Sequence, residues 1–305
     1  MASATVLRAS GGVYDVELED GTAAEASLRG RLKLERRTGD KVVAGDAVEV
    51  RLHDDGAYTI ETVLPRRSEL ARRAPGHGRT ARVIVANIDR VVVVFAAAEP
   101  EPRRRLLDRF LVIAEANSLE PVIVLNKTEL VSDDVVSSFL RPYEQIGYTT
   151  IRSSVKTGAG VDLLRDRLCG TRSVVTGPSG VGKSSLLNAI QPGLGLRVGV
   201  VSAAVHKGQH TTVTAQLIPL ECGGHVADTP GLRELGLWGI EPAELPDCFP
   251  EIAGIVDDCR FGNSCSHTHE PGCAVRAAVE AGSIDSGRFE SYCDLRREAT
   301  EAPRY

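Results

Sequence analysis

The 305-residue sequence lacks any apolar run approaching the length that crosses a bilayer. Its first residues, Met1-Ala2-Ser3-Ala4-Thr5, lack the basic segment and following apolar stretch of a secretory leader. The expectation from these absences is a cytoplasmic protein with no membrane partner. An excess of positive charge is missing as well: 36 Lys and Arg stand against 41 Asp and Glu, for a formal net charge of −5. That balance excludes a chain that coats nucleic acid over its whole surface, and it confines RNA contact to local basic patches. The seven cysteines are odd in number and partly clustered, which is poor usage for a disulfide framework. Reduced thiols and a metal site are expected instead. The length itself calls for two or three domains.

The stretch Gly177-Pro178-Ser179-Gly180-Val181-Gly182-Lys183-Ser184-Ser185 fits the pattern G-x-x-x-x-G-K-[ST]. Ser173–Thr176 ahead of it has the composition of a short buried strand, and Ser185–Ile190 behind it has helical apolar spacing. A strand, a glycine-rich turn and a helix N-terminus aim backbone N–H groups and the positive end of a helix dipole into one concavity, which suits a polyphosphate. Lys183 would reach the β- and γ-phosphates, and the Ser184 hydroxyl would ligate Mg²⁺.

From Val6 to about Leu64, β-branched segments alternate with turns such as Gly11-Gly12, Asp20-Gly21, Gly45-Asp46 and Asp54-Asp55-Gly56. A small β-barrel of about five strands is predicted over residues 1–65, of the OB or the SH3-like kind. Residues 66–83 concentrate Arg66, Arg67, Arg72, Arg73, Arg79 and Arg82 around Pro75-Gly76-His77-Gly78. Such a run is ordinarily a solvated linker, and it is also the first candidate for phosphate-backbone contact. Residues 84–238 alternate strands and helices as a doubly wound α/β sheet. The strand Pro121–Leu125 delivers Asn126-Lys127-Thr128-Glu129 at its C-terminal end, where parallel sheets place ligand groups.

Asn126-Lys127-x-Glu129 resembles the guanine-reading N-K-x-D segment of GTPases, with Glu129 in place of the aspartate, which keeps the acceptor chemistry and shifts its reach. Ser154-Val155-Lys156 resembles the second base-contacting loop. Asp228-Thr229-Pro230-Gly231 resembles the switch that brings an Asp near Mg²⁺ and a Gly N–H near the γ-phosphate. The polar loop Lys207–Thr212 could present Thr212 to the same Mg²⁺. Asn126 and Ser154 precede Gly177 here, the reverse of an ordinary GTPase, so the domain is expected to be circularly permuted.

Residues 239–305 carry Cys259-x5-Cys265-x-His267-x5-Cys273. Three thiolates and an imidazole suit one structural, tetrahedral Zn²⁺. His269 competes as the nitrogen ligand, while Cys248 and Cys293 suit packing. Ser286–Glu298 is expected to be a terminal helix with Phe289, Tyr292 and Leu295 against the metal-bound core.

Together with Gly208-x-His210-Thr211-Thr212, Cys259-Arg260-Phe261 and His269-Glu270-Pro271-Gly272-Cys273, these motifs resemble the ribosome-small-subunit-dependent GTPase A (RsgA) family over nearly the whole chain. The resemblance implies an OB-fold, a permuted GTPase domain, a zinc-binding C-terminal domain, and GTP hydrolysis stimulated by the small (30S) subunit. It further implies late subunit maturation through contact with 16S rRNA. A monomer is expected. Leu232 stands where many GTPases carry a water-orienting Gln, and His210 is the candidate to replace it. Two other classes compete: an RNA-binding adaptor with incidental turnover, and a P-loop ATPase or kinase, which Asn126-Lys127 disfavours.

Overall fold

Alternation of inward and outward side chains builds the first elements: β1 (Ala2–Ser10), β2 (Val13–Leu18), β3 (Ala23–Leu28), β4 (Ala47–Leu52) and β5 (Tyr58–Val63). Ala4, Val6, Tyr14, Val16, Val48, Val50 and Ile60 are buried at every second position along them. In this computed structural model, which describes residues 1–30, 41–73, 81–194, 215–228 and 240–301, the strands pair as β1–β2, β2–β3, β3–β5, β5–β4 and β4–β1. Only β3–β5 is parallel among these pairs. The ring 1-2-3-5-4-1 is closed, which is the OB-like arrangement and pairs each strand on both sides.

The described residues gather into two compact units. The first draws on Met1–Val91, Arg165–Thr176 and Val200–Leu235, the second on Val92–Leu164, Gly177–Gly199 and Gly236–Tyr305.

In the first unit the arginine-rich stretch is not a plain linker. It carries β6 (Glu69–Arg73), antiparallel to β7 (Ala81–Ala86), with Leu70 opposite Val85. Both Leu70 and Val85 are buried, so apolar burial rather than charge decides this segment. Arg66 is tied down by the fully buried Asp46, Nε to Oδ1 at 2.7 Å and Nη2 to Oδ2 at 3.1 Å, and it also donates to Lys41 O at 2.9 Å. Gly45, at φ 90°, lies where an added Cβ would come within 1.9 Å of Ala86 O. A side chain there would push β7 off the barrel. Pro75–Gly78 and the side chains of Arg72, Arg73, Arg79 and Arg82 lie outside what is described.

The same unit contains β11 (Arg172–Thr176) and β13 (His225–Asp228), parallel with Val174 opposite Ala227, and β12 (Gln216–Pro219), antiparallel to β13. β12 also meets the barrel, Gln216 opposite Arg8 of β1. The expectation that the thiols outside the metal cluster are reduced is corrected here: Cys169 and Cys222 are joined in a disulfide. The two lie 53 residues apart in sequence, and only the folding of the β12–β13 turn onto Gly170-Thr171 brings them together.

In the second unit Val92–Ala96 of β8 (Arg90–Ala96) is almost wholly buried, as a strand covered on both faces should be. It lies beside β9 (Glu120–Asn126), which pairs in parallel with β10 (Thr149–Arg152). Helices α1 (Arg104–Ala116) and α2 (Asp133–Ile146) follow β8 and β9. Pro142 in α2 cannot donate to Ser138 O, and Arg104 Nη2 fills that carbonyl at 2.8 Å. Helices α3 (Val161–Leu168) and α4 (Lys183–Ile190) follow β10 and β11.

The C-terminal part of this unit is helical: α5 (Pro250–Ala253), α6 (Ala274–Glu280) and α7 (Ser286–Glu301). Its core joins Leu245, Phe249, Ile252, Val275, Tyr292 and Leu295 to the buried cysteines and to Val112 of α1. Phe289, Cys248 and Cys293 pack there too, as expected. Arg288 of α7 is 2% exposed. It donates to Asp108 of α1 (Nη1 to Oδ1, 2.7 Å) and through two nitrogens to Glu251 of α5 (2.8 and 3.2 Å). Its guanidinium carbon lies 4.6 Å from the centroid of the Phe249 ring.

Candidate nucleotide site and metal centre

Gly177 and Gly182 adopt φ 133° and 96°, and at both a Cβ would collide. At Gly177 it would sit 2.0 Å from Val94 O of β8, and at Gly182 it would sit 2.4 Å from Asn126 Nδ2. The glycine spacing is therefore what lets the loop lie down on the ends of β8 and β9. Pro178 is half-buried, Ser179 and Gly180 are exposed at the crest, and Val181 is buried beneath them. Lys183 Nζ donates to Gly177 O at 2.8 Å and to Pro178 O at 2.6 Å. Its charge is thus folded back over the loop, in reach of a phosphate that would outcompete two carbonyls. Ser184 and Ser185 stand half-buried in the first turn of α4.

Asn126 is 2% exposed at the end of β9. Its Nδ2 donates to Val181 O at 2.9 Å, its Oδ1 accepts from Ser153 Oγ at 3.3 Å, and its carbonyl accepts from Ala97 N at 2.7 Å. Asn126 thereby ties the segment Asn126–Glu129 to the glycine-rich loop. Lys127 follows in the left-handed region at φ 59°, with its Nζ donating to Glu99 O. Thr128 donates through Oγ1 to Ser153 O at 3.1 Å. Glu129 is exposed, and hydrogen bonding from the Ser154 hydroxyl holds its carboxyl below the ordinary value, with Lys156 and Lys127 adding to the effect. Ser154 is buried, its Oγ accepting from Thr157 N at 3.1 Å, while Val155 is exposed.

The structure thus brings Asn126, Lys127, Thr128, Glu129 and Ser154 into one cluster with the phosphate loop. Sequence reasoning missed Ser153 and Glu99, which orient Asn126 and Lys127; a second serine beside Ser154 was the only trace. Asp228 closes β13 at the edge where β11 ends, one residue before Gly177. His210, Thr212 and Gly231 lie outside the described residues, as does Leu232.

The four predicted metal ligands are buried, and their donor atoms all lie within 4.8 Å of one another. Cys259 Sγ and Cys273 Sγ are 3.9 Å apart, and His267 Nδ1 is 3.4 and 3.5 Å from them. A tetrahedral Zn²⁺ with ordinary bond lengths requires about 3.8 Å between sulfurs and about 3.6 Å from sulfur to nitrogen. The five-residue gap between Cys259 and Cys265 therefore costs no ligand. His269 is exposed and its Nδ1 meets Thr268 Oγ1 at 2.9 Å, which leaves His267 as the imidazole. Tyr292 OH donates to Ser266 O at 2.9 Å and fixes this loop on α7.

A phosphate loop between strand and helix, with an Asn-Lys-x-acid segment hydrogen-bonded to it from an earlier strand, defines a circularly permuted P-loop GTPase, an enzyme that hydrolyses GTP. The chain belongs to the RsgA GTPase family, whose model matches residues 63–238. It is 52% identical to the small ribosomal subunit biogenesis GTPase RsgA of Gemmatimonas aurantiaca over 96% of each chain. With the protein of the same name from Moorella thermoacetica the identity is 44% over 98% of each. Among solved structures, YjeQ from Thermotoga maritima superposes with a TM-score of 0.81 at 36% identity, covering 99% of each chain. YloQ, titled a circularly permuted GTPase, gives 0.78 at 32% identity, covering 100% of this chain and 97% of that one. Among the described residues no helix is long and apolar enough to cross a membrane.

Proposed function

We propose that this GTPase acts in the cytoplasm in late maturation of the small ribosomal subunit, docks there on 16S rRNA as a monomer, and is stimulated by that subunit. The observation that carries the nucleotide part is the hydrogen bond from Asn126 Nδ2 to Val181 O, which joins the Asn126 segment to the glycine-rich loop and supports one nucleotide site. The relatives' printed names support the ribosomal part. Asn126, Lys127 and Glu129 read guanine, with Thr128 holding the segment and Ser154-Val155 flanking the base. The N–H groups of Gly177–Ser185 and the Lys183 ammonium take the phosphates. Ser184 and Thr212, with Asp228, would hold Mg²⁺, which would supply charge neutralisation to the nucleotide phosphates. Gly231 would contact the γ-phosphate and His210 would orient the attacking water, both lying outside the described residues. Cys259, Cys265, His267 and Cys273 would hold one structural Zn²⁺, which would fasten the segment between α5 and α6 on itself.

The test is phosphate release with and without purified small subunits. Strong stimulation is expected. An unchanged rate would favour the adaptor reading, in which turnover is incidental.

A further inference from the structure

Cys169 lies three residues ahead of β11, and Cys222 three residues ahead of β13. Their Cα atoms are 5.3 Å apart. Backbone contacts set that approach independently of the sulfurs. Gly170 N donates to Gly223 O at 2.9 Å, His225 N to Thr171 O at 2.8 Å, and the turn closes on itself through Leu220 N to Gly224 O at 3.0 Å. Gly224, at φ 83°, sits so close that a Cβ there would lie 2.4 Å from Thr171 O. The two thiols of the reduced protein therefore stay adjacent, and the bond can open and close without rebuilding the turn. Cys222 is exposed and Cys169 half-buried, so small thiols and disulfides reach them; Cys248, Cys259, Cys265 and Cys273 are buried.

We propose that Cys169 and Cys222 are a reversible redox-modification site for low-molecular-weight disulfides of the glutathione class, whose closed form staples together the two strands leading into the nucleotide site. The effect on nucleotide rests on the GTP-site reading above. To close, the Cys222 thiolate attacks glutathione disulfide, breaking its S–S bond and releasing one glutathione thiolate. The Cys169 thiolate then attacks the mixed disulfide at the Cys222 sulfur and releases the second. Two protein thiols are oxidised, one glutathione disulfide is reduced to two glutathiones, and the two thiol protons pass to the leaving thiolates. Excess glutathione reverses both steps, so in a reducing cytoplasm the bond is conditional. The closed form joins the starting ends of β11 and β13, whose other ends continue to Gly177 and Asp228. It also encloses the whole phosphate loop in one covalent ring. Separation of the two strands is restrained, and release of bound nucleotide slows.

The full chain is equilibrated in glutathione buffers from reducing to oxidising, free thiols are counted by alkylation and mass spectrometry, and release of fluorescent GDP is timed. Oxidation is expected to remove two alkylatable thiols, and to raise the thermal midpoint by about 5 °C or more. It should slow GDP release about threefold or more, as local opening is suppressed. Cys222→Ser and, separately, Cys169→Ser should show reduced-type release in every buffer. A bond that survives the most reducing buffer, one that never forms in the most oxidising, or equal release from both forms would overturn the proposal. Failure of the chain to bind GDP would instead refute the nucleotide-site reading, while the thiol count and midpoint still decide whether the switch exists.

Discussion

Replacing Arg288 by methionine removes one cation from between two carboxylates. Asp108 has no side-chain exposure and Glu251 has 9%, against 1% for Arg288, so neither acid can turn to water. Breaking a buried pair by deleting one partner costs about 3–5 kcal/mol, and the lost contact with the Phe249 ring adds to it. At roughly 2–4 °C per kcal/mol the thermal midpoint should fall by about 10 °C. The pH dependence follows from the sign of the shift at Asp108. Burial raises its carboxyl above the ordinary value, and Arg288 opposes that rise. Without Arg288 the folded-state value rises further, so the charged form becomes the destabilised one. The deficit should therefore shrink as pH falls from about 7 towards about 5 and Asp108 becomes neutral. Thermal unfolding followed by circular dichroism, wild type against Arg288→Met across that range, measures both effects. A midpoint within about 2 °C of wild type, or a deficit that grows on acidification, would refute the reasoning.

Lys183→Ala, which removes the ammonium now resting on Gly177 O and Pro178 O, should lose GTP binding and turnover together; calorimetry with normal affinity would contradict the phosphate-loop assignment. A strong zinc chelator should withdraw one metal ion per chain and lower the helix content contributed by residues 240–301, read by atomic absorption and circular dichroism. The hydroxyl of Ser154 keeps Glu129 ionised below the usual range. Fluorescent GTP should therefore hold on to lower pH in wild type than in Ser154→Ala when titrated from about pH 6 to about pH 4; coincident curves would rule this out.

The site was legible wherever spacing alone constrains the backbone. Gly177 and Gly182 are legible because no other residue fits at 2.0 and 2.4 Å from a neighbouring atom. The cluster Cys259–Cys273 is legible because its ligands are local in sequence. Alternation in β2 and β4 and the continuous burial of β8 were equally plain, since each strand's face is set within a few residues. What escaped notice depends on distant partners. The Cys169–Cys222 bond needs the β12–β13 turn to arrive from 53 residues away. Arg288 belongs to a helix with the charge pattern of a solvated face, and only Asp108 and Glu251 make its burial tolerable. Leu70 of the arginine-rich stretch pairs with Val85 just beyond it, in a ladder that the surrounding charges conceal.

The central claim is that the segment ending β9 and the loop beginning at Gly177 form a single guanine-nucleotide site. Calorimetric titration of wild type and Asn126→Ala with GTP and ATP tests it most directly. The account predicts that wild type prefers GTP by about 10²-fold or more, and that the variant loses GTP affinity by about tenfold or more. Equal affinity for GTP and ATP, or GTP binding unchanged in the variant, would contradict it.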